Sequence, residues 1–90
     1  MDLNQKDVNE LEEILENVPE GFGLYSEGKD CYIKVTVVVF KHKYHHSEYE
    51  CRGKGTTWWI SEREFDTLLE TNGAVHLDEV FDRLEFLKEK

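Results

Sequence analysis

Cys31–Phe40, CYIKVTVVVF, is the stretch whose reading decides the fold. Val, Ile, Tyr, Thr and Phe fill nearly every place in it, and such side chains fit a pleated, partly buried surface. Alternation sets Cys31, Ile33, Val35, Val37 and Val39 on one side and Tyr32, Lys34, Thr36, Val38 and Phe40 on the other. The first side is wholly apolar and is expected to carry the core. The second is mixed and ends apolar at Val38 and Phe40.

Working outward, Lys41-His42-Lys43-Tyr44-His45-His46 reads as the tip or extended end of a hairpin, with Ser47 to Arg52 returning antiparallel. Gly53-Lys54-Gly55 turns the chain again into Thr56-Thr57-Trp58-Trp59-Ile60. Upstream, Phe22–Ser26 is a short strand followed by the turn residues Glu27-Gly28-Lys29-Asp30. Adjacent tryptophans point to opposite sides of a strand, so one can enter the core while the other joins Tyr32, Val38 and Phe40.

Residues 4–18 read as an amphipathic helix, because Val8, Leu11, Ile14, Leu15 and Val18 fall within one arc of about 120°. Asn4 is placed to cap it, Leu3 to staple against Val8, and Pro19 with Gly21 to end it. Ser61-Glu62-Arg63-Glu64 is a capping box flanked by Ile60 and Phe65 as a staple; that helix is expected to carry Phe65, Leu68 and Leu69 inward and leaves through Asn72-Gly73. A last helix starts near Leu77, with Leu77, Val80, Phe81, Leu84 and Leu87 along its stripe and Phe86 off it. The expected fold is a single α+β domain over residues 1–90. An antiparallel meander of three to four strands has one N-terminal and two C-terminal helices packed on one face, in the order α-β-β-β-β-α-α.

Ninety residues carry a net charge of −9. Residues 1–27 hold eight acids against Lys6 alone, residues 28–55 six bases against three acids, and residues 56–90 nine acids against four bases. The helices are thus acidic and the sheet mildly basic. Nucleic-acid binding is disfavoured by this balance, since neutralising phosphates takes clustered Lys and Arg. No stretch approaches the roughly 20 apolar residues of a membrane span. Met1-Asp2-Leu3-Asn4 lacks the basic and apolar regions of a secretory signal, so a cytoplasmic setting is expected.

Little in the chain suggests chemistry. Cys31 and Cys51 are read as small half-buried hydrophobes. His42, His45 and His46 with Cys51 have zinc-ligand side chains, but neighbours on a strand point to opposite sides, so no metal site is assigned. Ser61 is accounted for as a cap, and Gly53-Lys54-Gly55 lacks the spacing and following helix of a phosphate-cradling loop. The expectation is a protein without catalytic activity or cofactor.

Protein binding is the favoured function. Glu10, Glu12, Glu13, Glu16 and Glu20 form an acidic face suited to a basic partner, and Tyr32, Phe40, Tyr44 and Trp59 exceed what one core face needs and can anchor it. A different class of reading is a nucleic-acid-binding sheet using Lys41, Lys43, Tyr44, Arg52 and Lys54. A third is a homodimer through the second sheet face, the basic tip meeting an acidic helix of the other copy.

The order helix, antiparallel strands, two helices, with the last strand passing into an acidic helix start at Trp58-Trp59-Ile60-Ser61-Glu62, resembles small acidic phage anti-CRISPR proteins that mimic DNA. Bacterial immunity proteins that block toxic nucleases share the size and acidity. The likeness covers the layout of most of the chain. It implies an inhibitor of a nucleic-acid-handling protein, its carboxylates occupying the basic site on the target.

Overall fold

Asp7 opens the first helix, α1 (Val8–Glu16), by accepting the Glu10 amide on its carboxylate at 2.9 Å. The structure, a computed structural model, describes residues 6–89; the expected Asn4 cap and Leu3 staple lie outside them, and the helix expected over residues 4–18 is shorter, from Val8 to Glu16. Asn17 closes the helix by donating from Nδ2 to the Glu13 carbonyl at 2.8 Å. Strands β1 (Leu24–Ser26), β2 (Cys31–Phe40), β3 (Tyr44–Gly53) and β4 (Thr56–Ile60) form the antiparallel meander. Helix α2 (Glu62–Glu70) follows, capped by Ser61 Oγ accepting from the Glu64 amide at 3.1 Å, and leaves through left-handed Asn72. A fifth strand, β5 (Val75–His76), pairs with β1 and leads directly into α3 (Leu77–Lys88), so the sheet order is β4-β3-β2-β1-β5.

The fold class is α+β with an antiparallel sheet. The helices, however, do not share one face. Leu24, Cys31, Ile33, Tyr49 and Cys51 meet Phe65 of α2 on one side of the sheet, with Trp58, Ile60 and Leu68 alongside. Tyr25, Tyr32 and Val75 meet Leu11 and Ile14 of α1 and Val80 and Leu84 of α3 on the other. The reason lies in β1 and β2. Tyr25 pairs with Tyr32 between the pairs Leu24–Ile33 and Ser26–Cys31, so both sides of the central strands are apolar and each needs cover. Trp58 is the tryptophan that enters a core; Trp59, on the opposite side, is 62% exposed.

The larger departure concerns the valines. Cys31 and Ile33 are buried, but Val35 is exposed and Val37 and Val39 are 59% and 62% exposed. β1 ends its pairing at Ile33 and β4 at Tyr49, so beyond Val35 and Tyr49 only β2 and β3 continue, as a two-stranded ribbon. Helices of nine residues span only about 14 Å and stay over the body. The ribbon projects as an arm, and the molecule measures 52 × 25 × 23 Å. Its tip turns through Lys41 and His42, both left-handed, with the Lys43 amide bonded to the Phe40 carbonyl at 3.2 Å. Paired left-handed residues match the twist of a hairpin, yet neither is Gly or Asn, and each costs about 1–2 kcal/mol. Phe81, beside the buried stripe of α3, and Leu69 of α2 also depart from expectation and lie exposed.

Candidate protein-binding surface

The contact between α1 and α3 builds a surface that neither helix shows alone. Leu11, Ile14, Val80 and Leu84 turn inward together, which leaves Glu10, Glu13 and Glu16 on α1 and Asp78, Glu79, Asp82 and Glu85 on α3 exposed on one layer. Glu12 is half-buried and Glu20, in the loop after α1, is exposed. Glu10 pairs with Lys6 at 3.3 Å, while Glu12, Glu13, Glu16 and Glu20 make no ion pair among the described residues. The α3 carboxylates were not singled out from sequence. Their positions opposite the Leu77–Val80–Leu84–Leu87 stripe carried the signal, but only packing places them beside α1.

Of the expected aromatic anchors, Phe40, Tyr44 and Trp59 are exposed. By register they belong to the side of the sheet that α1 and α3 cover, since Phe40 pairs with Tyr44, and Trp59 pairs with Glu50, which pairs with Lys34. Tyr32 is not available as an anchor. Its ring packs beneath α1, 5.4 Å from that of Tyr25, and its hydroxyl donates to the Ile14 carbonyl at 2.7 Å. The last turn of α1 offers that unpaired carbonyl, and Tyr32 fastens helix to sheet through it.

The five residues of the nucleic-acid reading do not converge. Lys41, Lys43 and Tyr44 sit at the arm tip, whereas Arg52 and Lys54 lie at the opposite end of β3, about 30 Å away at strand rise. Arg52 is held by Glu50 at 3.1 Å and lies 4.9 Å from the centre of the Phe22 ring, and Lys54 is 3.7 Å from Asp30. The tip histidines divide as alternation requires: His45 pairs with Val39 on one side, His46 with Val38 on the other. Among the described residues no three of His, Cys, Asp or Glu converge as metal ligands.

One cleft, of about 320 Å³, lies between α1 and the strand ends far from the tip. Its groups answer one another: Tyr25 donates to Asp30 at 3.2 Å, Lys54 faces Asp30, and Lys6 faces Glu10. The thiols are no better placed for reaction. Cys31 is buried and pushed up to about 12 by loss of solvent and then by the neighbouring Cys51, which burial also raises.

These raised values set an alkaline limit. A thiol at about 12 when folded and an ordinary 9 when unfolded keeps its full contribution to stability below pH 9 and loses it as pH rises towards 12. Tyr25 and Tyr32, raised mainly by burial, act in the same direction above their ordinary 10. Urea midpoints are expected to be flat from pH 7 to 9 and to fall steadily from 9 to 12. A midpoint unchanged at pH 11 would contradict the burial of both thiols.

No family model matches the chain, and no curated protein or solved structure matches it. No helix among the described residues is long and apolar enough to cross a membrane.

Proposed function

We propose that the protein is a small, non-catalytic protein-binding domain that inhibits a nucleic-acid-handling protein, its acidic α1–α3 surface taking the place of nucleic acid in a basic site. The observation that carries this reading is the row of exposed carboxylates on two adjacent helices, most of them without a cation of their own. Side chains four residues apart on a helix recur about every 6 Å along its axis, giving a row of anionic oxygens such as a basic cleft binds in a phosphate backbone. Steering by this field speeds encounter, and Phe40, Tyr44 and Trp59 on the same side of the sheet supply apolar anchorage.

The test is affinity capture from nuclease-treated extract of the source cell, with wild type and the triple variant Glu12→Lys, Glu13→Lys, Glu16→Lys compared at low and moderate salt. The captured partner is expected to associate at least about tenfold more slowly with the variant, and with a shallower salt dependence. A partner that binds both forms alike would overturn the acidic-surface mechanism. A gel shift of single-stranded DNA or RNA by the wild type, abolished by Lys41→Glu with Lys43→Glu, would transfer function to the tip instead.

A further inference from the structure

We propose that the arm is an interface with a second copy of this chain, the two arms stacking antiparallel about a twofold axis through their valine faces. The argument starts from the order of surfaces along that face. At the outer end, beyond the last valine, the turn carries Lys41, His42 and Lys43, with the Lys41 ammonium 5.4 Å from the centre of the Phe40 ring. Next come Val37 and Val39 of β2, opposite Ser47 and His45 of β3, with no acid or permanently charged base among them. At the inner end stands α2, its Phe65 stacked on Tyr49 with ring centres 4.4 Å apart.

The orientation of α2 fixes what it shows to the arm. Glu64 reaches back to Lys29, at 3.4 Å, in the turn before β2, at the end of the sheet away from the tip. Helical spacing then places Glu62, Asp66 and Leu69 on the opposite flank, towards the arm. Leu69 is exposed there, and neither Glu62 nor Asp66 makes an ion pair among the described residues. The face therefore runs acidic, apolar, basic. A twofold rotation lays apolar on apolar and basic on acidic, twice, and it is self-complementary in the way a closed dimer requires.

The geometry also fits. Stacked sheet layers lie about 10 Å apart, and α2 covers the same side of the sheet through Phe65, so a second ribbon can lie beside α2 as its continuation. A ribbon of two strands is marginal in water by itself, and stacking gives this one the second layer it lacks. The surface is small against the roughly 1,200 Å² of a standard specific interface, so the association is weak and reversible. This is the opposite side of the sheet from the one on which a dimer was expected from sequence, and from the acidic α1–α3 surface, so the proposed function can fail or stand independently.

Sedimentation equilibrium over roughly 10–500 µM, at low and high salt, tests it. Wild type is expected to pass from monomer to dimer, with association about fivefold weaker at high salt. Val37→Ser with Val39→Ser should weaken it at least about tenfold while leaving the amide spectrum of the body unchanged. The decisive arm is a mixture. Lys41→Glu/Lys43→Glu alone and Glu62→Lys/Asp66→Lys alone should each lose the dimer, and mixing them should restore it as a heterodimer, since every tip again faces opposite charge. A wild type that stays monomeric, a serine variant that dimerises as before, growth beyond the dimer, or a mixture that fails to recombine would each overturn the proposal.

Discussion

Ile33→Ala is expected to lower the unfolding free energy by about 3–4 kcal/mol, whereas Val37→Thr, four residues further along the same strand and on the same side, should change it by less than about 0.5 kcal/mol. Ile33 is wholly buried, pairs with Leu24 on one neighbour and Cys51 on the other, and shares a cluster with Phe65. Removing its outer carbons leaves a cavity in a close-packed interior. Val37 is more than half exposed, and threonine keeps the branched shape that a strand favours. In a domain whose whole stability is about 5–15 kcal/mol, the first change is a large fraction and should drop the midpoint by about 15 °C. Urea titrations of dilute protein, well below the range where arms associate, make the comparison. Equal costs at the two positions would mean that the arm packs on its own body.

Gly53→Ala is the second large effect, expected at about 3 kcal/mol. A Cβ built there would stand 2.5 Å from the Asp30 carbonyl oxygen, 3.0 Å from Cys31 Cβ and 3.1 Å from Cys31 Cα. Two of these are backbone atoms of the turn and first residue of β2, so the clash cannot be relieved by a rotamer change. The β2–β3 ladder has to open at its inner end, where the buried Cys31 lies. Gly28→Ala is the control, since nothing lies within 4 Å of its added carbon. Thermal melts of the two variants should separate clearly, and a Gly53→Ala protein as stable as wild type would show that β2 and β3 are not so closely apposed.

The two proposed surfaces would answer different physical needs. The α1–α3 layer concentrates charge, which acts at a distance and speeds encounter without requiring close fit. The arm concentrates apolar area with charge at each end, which needs contact and fixes orientation. A dimer through the valine faces would leave both acidic layers open, because they cover the other side of each sheet. One assembly could then present two such layers, and paired sites raise effective concentration against a partner that repeats.

Much of the architecture is written locally in the chain. The strand period at Cys31–Phe40, the helical stripes at Leu11–Ile14 and Val80–Leu84, the Ser61 cap and the Asn72 exit each depend on residues within a few positions of one another and stand in the structure, whereas Glu64 pairs with Lys29 instead of closing the expected capping box. The exposed Phe40, Tyr44 and acidic face of α1 were legible for the same reason. Alternation alone, however, says which side chains share a side and not what lies above them. That three-residue β1 and five-residue β4 stop short, stranding Val37 and Val39, is set by where distant segments pair. The burial of Tyr32 under Ile14, the division of helices between both sheet faces, and the packing of α1 against α3 are likewise non-local. Short-range sterics and hydrogen bonding fixed the elements, while cover and exposure came from contacts between residues far apart in the chain, which only the packed fold determines.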